Sequence, residues 1–258
     1  MEGLIASGWA ALATAAASPA FPVMAVCAAL AGLVRGFSGF GAALVFMPAS
    51  AAAAGPQTAL ITLWIADAIG ALSLLPWGLR HCAPREVARL GLGLVVGVPA
   101  GVWALTTAEP DLLRWGLCAA ALAVIAALGA GWRWTGPLPP AAETGVGFLS
   151  GFGGGVAGLS GVAPVVFYLG REAAAERLRA NIIALFAVSF PLGGLLFLWN
   201  GLFTAEAVAY GVAAAPIYAL AIRGGALLYP LASQAAFRRI AFGLILVSAV
   251  TGLPLWDR

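Results

Sequence analysis

The sequence predicts an all-α integral membrane protein that consists of two inverted repeats. Hydrophobic residues make up 62% of its 258 residues and charged residues only 9%, whereas a soluble domain carries about 25% charged residues to face water. Charges and Pro/Gly clusters divide the chain into about eight apolar segments, and two of them contain matching glycine-rich stretches. We therefore expect each repeat to hold a Gly-rich broken helix or re-entrant hairpin and three transmembrane helices.

The apolar segments set the order of the elements. They cover roughly residues 20–50, 56–77, 87–107, 112–132, 143–170, 179–200, 204–222 and 235–254. A helix needs about 20 residues to cross a bilayer, and the first and fifth segments are longer than that. Each of these two segments is either one tilted, kinked helix or a hairpin of two half-helices. The shorter apolar stretch from Leu4 to Ala17 is predicted to be an interfacial N-terminal helix.

An internal duplication relates the two halves, residues 1–134 and 135–258, which we predict to form one transmembrane domain. The stretch VRGFSGFGA at 34–42 resembles VAGLSGVAP at 156–164, an offset of 122 residues (156 minus 34). The same offset lays the second, third and fourth segments over the sixth, seventh and eighth. The aligned pairs are Gly32 with Gly154, Gly36 with Gly158, Ser38 with Ser160 and Gly39 with Gly161. A duplicated unit is the simplest account of this period.

The distribution of arginines favours the hairpin interpretation, because cytoplasmic loops of membrane proteins collect basic residues. If all eight segments cross the membrane, the loop arginines divide five against seven between the two sides. If the first and fifth segments are hairpins, the arginines divide ten against two. The hairpins leave three crossings in each half, and this odd number inverts the second repeat, as in many secondary transporters. Both termini are then predicted to lie outside.

The glycine-rich breaks are the predicted binding region. Irregular backbone persists inside a bilayer where it lines a cavity, and a helix that starts there offers unbonded N–H groups and the positive end of its dipole to an anion. We expect the two breaks to form one anion site between the repeats. The predicted contacts are Ser38, Gly39, Phe40, Gly41, Ser160 and Gly161. For Gly32, Gly36, Gly154 and Gly158 we favour close helix packing instead.

Three further polar residues are candidates for the same site. Arg35 comes just before the first break and is either a substrate-binding cation, since such residues usually mark ion paths or buried partners, or a snorkelling side chain. Asp67 lies inside the second segment. It either pairs with Arg35, which we favour slightly, or carries a proton in coupled transport. Asn181, at the start of the sixth segment, is a candidate substrate contact or interhelical bridge.

Composition argues against several other classes of protein. The net charge of +3 comes from loop arginines, and no basic stripe with interleaved aromatics suggests nucleic-acid binding. Cys27, Cys82 and Cys118 are scattered, so we expect neither a metal site nor a cofactor. No nucleophile–base pair is visible, so an enzyme is disfavoured. A membrane scaffold subunit that does not transport is the less favoured alternative to a carrier.

The chain resembles the TauE/SafE family of sulfite and sulfonate transporters over nearly its whole length. The matching stretches are GLVRGFSGFGAALVFMP (32–48), GGGVAGLSGVAPVVFYL (153–169), RAN (179–181) and FRRIAFGLILVSAVTGL (237–253). The resemblance implies a multi-pass carrier of the bacterial cytoplasmic membrane that moves sulfite or a small organosulfonate by alternating access. Another small organic anion, such as a carboxylate, is the alternative substrate. The direction of transport, the coupling ion and the oligomeric state are left open.

Overall fold

The structure is a computed structural model that describes residues 14–15, 17–38, 40–130, 139–169, 175–228 and 234–255. These residues form ten α-helices and no strand, which confirms the all-α class. The helices are α1 (Ala20–Ser38), α2 (Ala42–Ala54), α3 (Pro56–His81), α4 (Pro84–Thr107), α5 (Pro110–Gly129), α6 (Pro140–Ala157), α7 (Val162–Leu169), α8 (Ala175–Trp199), α9 (Ala205–Leu228) and α10 (Gln234–Gly252). The predicted N-terminal helix falls mostly outside the described residues.

Five helices within the described ranges are long and apolar enough to cross a membrane. Their qualifying stretches are Ala20–Phe37, Pro84–Thr107, Pro110–Ala127, Arg179–Trp199 and Ala205–Leu228. Many large apolar side chains on these helices are exposed, including Trp103 at 69% and Trp199 at 86%. Aromatic and aliphatic side chains exposed to this extent suit a lipid environment rather than water.

The first and fifth apolar segments each contain two helices rather than one kinked helix. α1 ends at Ser38 and α2 begins at Ala42, whereas α6 ends at Ala157 and α7 begins at Val162. Gly41 and Gly158 adopt positive φ angles of 87° and 68° at these breaks. Glycine reaches this left-handed region without steric cost, which explains why each break contains it.

The helix boundaries repeat with the period that the sequence predicts. Each helix of the second half begins within three residues of the start of its counterpart plus 122. For example, Pro84 at the start of α4 gives position 206, and α9 begins at Ala205. The ten helices therefore form two series of five that have the same order.

Contacts group the described helices into two compact units, and each unit draws on both halves of the sequence. The first unit comprises Met1–Ile69, Glu109–Ala121 and Gly201–Arg258, and the second comprises Gly70–Ala108 and Leu122–Asn200. In the first unit α1 packs against α9 and α2, and α2 packs against α10. In the second unit α4 packs against α6 and α8. Since α4 and α6 are the counterparts of α9 and α1, the same pairing occurs twice with the halves exchanged.

The helices α1, α3 and α9 of the first unit run in the same direction. Near the start of α1, Phe21 stacks on Tyr210 of α9, and near its end Gly36 abuts Ile222. Along α3, the Thr62 hydroxyl donates to the Ala207 carbonyl at 3.5 Å, and Asp67 further on meets Tyr218. The starts of α1 and α3 therefore both lie beside the start of α9.

The intervening helix α2 consequently returns the chain antiparallel to α1. α2 spans 13 residues, which corresponds to about 20 Å at 1.5 Å per residue. It runs parallel to α10, because the Ser248 hydroxyl donates to the Val45 carbonyl at 2.6 Å and Gly252 lies against Pro48 further along. Together α1 and α2 form a helical hairpin with the first break at its tip.

A glycine seam joins α4 and α6 of the second unit, which also run parallel. Along α4, Gly93 faces the backbone at Thr144 and Phe148, and Gly101 faces Phe152 and Gly155. The six glycines of this seam, which we call the α4–α6 glycine seam, are Gly93, Gly97, Gly101, Gly147, Gly151 and Gly155. A Cβ at any of them would overlap the backbone of the other helix. Glycine here allows the close approach typical of membrane helices.

Candidate functional site

The first break lies in the first unit and is closed by Gly41. Gly41 caps the start of α2 with φ 87°, and its carbonyl accepts a hydrogen bond from Leu44 N–H at 3.2 Å. As at any helix start, the first N–H groups of α2 are not used by bonds within the helix. Ser38 ends α1, but its side chain and the whole of Gly39 fall outside the described residues. Phe40 is half-buried at the tip of the hairpin.

The second break lies in the second unit and is more tightly closed. The N–H groups of Gly158 and Leu159 donate to the Gly154 and Gly153 carbonyls, both at 3.0 Å, and the first of these bonds is that of an αL cap with glycine in the left-handed position. Ser160 is 8% exposed, and its carbonyl accepts a hydrogen bond from the Ser150 hydroxyl. The buried Gly161 follows, and α7 begins at the next residue. The predicted contacts Ser160 and Gly161 therefore stand directly before a helix start.

The helix-packing role that we predicted is confirmed for Gly32 and Gly36, whereas Gly158 ends α6 with a positive φ of 68°. A Cβ added to Gly32 or Gly36 would collide with α9, at Tyr218 and Ile222 respectively. A Cβ added to Gly154 would collide with the hydroxyl of Ser160. Gly32 and Gly36 allow α9 to approach α1 closely, and Gly154 allows Ser160 of the second break to lie against α6. Each of these glycines is small because the neighbouring atoms leave no room for a side chain.

Arg35 and Asp67 form an ion pair in the first unit. The Nε atom of Arg35 lies 2.8 Å from Oδ1 of Asp67, and the two side chains are only 11% and 13% exposed. Arg35 therefore points into the unit rather than snorkelling away from it. Arg35 lies in the last turn of α1, directly before the first break, and Asp67 reaches it from α3. A guanidinium in this position supplies donors whose geometry suits an oxyanion.

Tyr218 is part of this group, although the sequence analysis did not select it. Its hydroxyl donates to the same Oδ1 atom of Asp67 at 2.8 Å, and the side chain is fully buried. Tyr218 lies in α9, which reaches Asp67 because α9 packs beside α1. A tyrosine within an apolar segment is a weak signal, and its partner depends on how two distant helices align.

Asn181 joins α8 to the start of α4 in the second unit. Its Oδ1 accepts a hydrogen bond from Ala83 N–H at 2.7 Å, and its Nδ2 donates to Glu86 Oε2 at 3.0 Å. Asn181 is completely buried. Of the two roles considered for this residue, the structure displays the interhelical bridge, in which both ends of the amide are used.

A second ion pair, in which one partner is buried, was also missed from the sequence. Arg89 Nη1 lies 3.1 Å from Glu143 Oε2, and the side chains are 44% and 5% exposed, respectively. The pair joins the second turn of α4 to the first turn of α6. In the sequence Glu143 looks like a loop charge at the edge of an apolar segment. Its partner is revealed only by the parallel packing of α4 and α6.

The donor sets of the described residues suit an anion better than a metal. No group of three or more His, Cys, Asp or Glu side chains that could hold a metal occurs in the described ranges. At each break one helix ends and another begins, and the guanidinium of Arg35 lies just before the first break. Backbone N–H groups, hydroxyls and arginine are the groups that bind sulfur and phosphorus oxyanions.

Comparisons with known proteins agree with this chemistry. The family model described as sulfite exporter TauE/SafE matches residues 24–251. A protein of Cupriavidus necator, named probable sulfite/organosulfonate exporter TauE, is 30% identical over 190 residues, which cover 70% of this chain and 72% of that protein. No solved structure matches the chain.

Proposed function

Because the chain belongs to the sulfite exporter TauE/SafE family, we propose that it carries sulfite or a small organosulfonate anion across the bacterial cytoplasmic membrane. Members of this family are multi-pass inner-membrane transporters and not enzymes. The observation that carries the substrate class is the match over residues 24–251, which includes both breaks and the Arg35–Asp67 pair. The name of the Cupriavidus necator relative supports the same class.

The proposed topology has α1–α2 and α6–α7 as re-entrant hairpins, with three crossings in each half. The antiparallel return of α2 supports this arrangement in the first unit. In the second unit, Asn181 in the second turn of α8 bonds to Ala83, directly before α4, so the N-terminal ends of these two helices lie on one face. Eight simple crossings would put the start of α4 and the start of α8 on opposite faces. Under the proposed topology the second repeat is inverted relative to the first.

Each unit has its own proposed donors to the anion. In the first unit they are Arg35, Ser38, Gly39, Phe40 and Gly41, and in the second unit they are Ser160 and Gly161. Arg35 contributes the positive charge, and alternating access exposes the anion to each side in turn. Asp67 is the group that links transport to a proton. Asn181 acts indirectly, by holding α8 to α4.

Transport by purified protein in liposomes tests this proposal. We expect vesicles loaded with unlabelled methanesulfonate to accumulate labelled sulfite or methanesulfonate by counterflow. Arg35→Gln serves as the matched negative control, and labelled acetate tests the carboxylate alternative. Counterflow of acetate without that of either sulfur anion would replace the substrate class but keep the carrier. Inert vesicles that contain folded protein would contradict the carrier function.

A further inference from the structure

The Arg35–Asp67–Tyr218 group breaks the internal symmetry of the chain. With the offset of 122 residues, the counterparts of its members are Ala157 (35 plus 122), Ser189 (67 plus 122) and Val96 (218 minus 122). The packing of α1 on α9 thus recurs as the packing of α6 on α4 with none of these three polar groups. The α4–α6 pair therefore packs in the same way as the α1–α9 pair but without these three side chains. We conclude that the Arg35–Asp67–Tyr218 group is not needed for the helices to pack.

The energetics of burial lead to the same conclusion. Replacing a buried ion pair by apolar side chains is often neutral or stabilising, because desolvation offsets the attraction between the charges. Ionisable residues inside a membrane segment are rare and generally functional. The pair lies at about 11–13% exposure, directly before a break whose helix start attracts anions. A carboxylate held on an arginine at this point has the same chemistry as a bound oxyanion substrate.

We propose that Asp67 is an internal substitute for the substrate, and that Tyr218 holds Asp67 beside Arg35 in the empty carrier. This inference rests on the proposed function. In the empty carrier the Asp67 carboxylate is paired with the Arg35 guanidinium. An incoming sulfite or sulfonate takes over the guanidinium, and the released carboxylate keeps its 2.8 Å hydrogen bond from Tyr218. Tyr218 is therefore a positioning residue, because it acts through Asp67 rather than on the anion.

The exchange also accounts for a coupled proton. Once Arg35 is paired with the substrate, Asp67 has lost its counter-charge and takes up one proton from water on the face where the substrate binds. When the anion leaves on the other face, Asp67 releases that proton there and pairs with Arg35 again. Among the described residues, the charged or titratable groups that face Asp67 are Arg35 from α1 and Tyr218 from α9. One proton therefore moves with one anion.

The test measures the affinity for methanesulfonate, which stays ionised, by calorimetry in detergent between pH 5.5 and 8.5. The variants are Asp67→Asn and Tyr218→Phe, and the matched control is Tyr210→Phe. Tyr210 lies on the same helix, is 1% exposed, and donates to the Ser18 hydroxyl at 2.6 Å. The Tyr210→Phe variant therefore loses a hydrogen bond of similar length and burial, whereas the Arg35–Asp67 ion pair keeps its contacts.

For the wild type we expect binding that tightens as the pH falls, by up to about tenfold per pH unit, the limit for one linked proton. Asp67→Asn should bind at least about tenfold more tightly at pH 8.5, because no carboxylate then competes with the anion for Arg35. Its affinity should no longer depend on pH. Tyr218→Phe should also bind more tightly at pH 8.5 and keep the pH dependence, because the lost hydrogen bond is stronger to the ionised Asp67 of the empty carrier than to the protonated Asp67 of the loaded one. Tyr210→Phe should match the wild type.

Three results would overturn the inference. They are a wild-type affinity that does not change with pH, an Asp67→Asn variant with unchanged or weaker binding, and a Tyr218→Phe variant that behaves like Tyr210→Phe. If Asp67→Asn does not fold, the wild-type pH profile and Tyr218→Phe still decide. Failure of the proposed function is distinct, because in that case the wild type binds no sulfur anion at any pH.

Discussion

The side-chain oxygen of Asn181 accepts a hydrogen bond from the backbone N–H of Ala83 at 2.7 Å. These residues are 98 positions apart. Ala83 stands directly before α4, and Asn181 lies in the second turn of α8. The bond therefore brings two loops of different halves to the same end of their unit. For a membrane protein this relationship has direct consequences for sidedness.

Labelling from each side of the membrane should place Cys82 and an Arg177→Cys variant on one face and Asn200→Cys on the other. Cys82 is native and partly exposed, whereas Arg177 and Asn200 are exposed. The measurement is reaction with an impermeant maleimide in right-side-out and inverted vesicles. Arg177→Cys and Asn200→Cys are made in a Cys82→Ser background, which provides the unreactive control. Labelling of Cys82 and Arg177→Cys from opposite faces would contradict the re-entrant hairpins.

Arg35→Gln should lower both stability and transport, but for different reasons. Removing the guanidinium leaves the Asp67 carboxylate buried without its counter-charge, which costs about 3–5 kcal/mol of unfolding free energy. Transport should fall about 10- to 100-fold, the effect of losing a hydrogen bond to a charged group. The double variant Arg35→Gln/Asp67→Asn should recover most of the thermal stability and none of the transport. Recovery of transport by the double variant would argue against Arg35 as a substrate contact.

Gly97→Ala should destabilise the protein by about 1–3 kcal/mol, the usual cost of overpacking. Its added Cβ would overlap the Phe148 carbonyl across the α4–α6 glycine seam. Gly91→Ala is the control on the same helix, because nothing lies within 4 Å of a Cβ there. That control should be neutral or stabilising by up to about 1 kcal/mol, since alanine is the better helix former. Thermal unfolding in detergent measures both, and equal effects would refute the seam.

Asn181→Ala should reduce stability by about 1–3 kcal/mol and leave the dissociation constant for methanesulfonate unchanged. The loss comes from the Ala83 N–H and the Glu86 carboxylate, both of which lose a partner on the partly buried start of α4. Asn200→Ala is the matched control, because this exposed amide bonds only within its own helix end, to the Leu196 carbonyl. A weaker affinity in Asn181→Ala would restore the direct substrate contact that the sequence also suggested.

The sequence predicted the helices and the breaks well, because both depend on local composition. Eight apolar runs and their glycine interruptions indicated where helices begin, and the 122-residue offset matched all five pairs of helix starts within three residues. The Arg35–Asp67 pair was also considered from sequence, since two lone charges in neighbouring apolar segments have few other partners.

The remaining features depend on which helices meet, and no local pattern encodes that. Tyr218 joins Asp67 only because α9 lies beside α1 and α3 in a particular register. Glu143 likewise acquires Arg89 only through the parallel packing of α4 and α6. The compact units of the structure are a grouping other than the predicted repeats 1–134 and 135–258, because each unit takes helices from both repeats.

The exchange of helices between the halves constrains how this protein arose. The glycine face of α6 is covered by α4 of the other half, and α1 is covered by α9 in the same way. An ancestral gene that encoded one half would have produced a chain with its hairpin uncovered. Such a chain could complete both units only by associating with a second copy of itself. Fusion of two such genes would supply both covering helices in one chain, and substitutions such as those that give Arg35, Asp67 and Tyr218 would then differentiate one unit from the other.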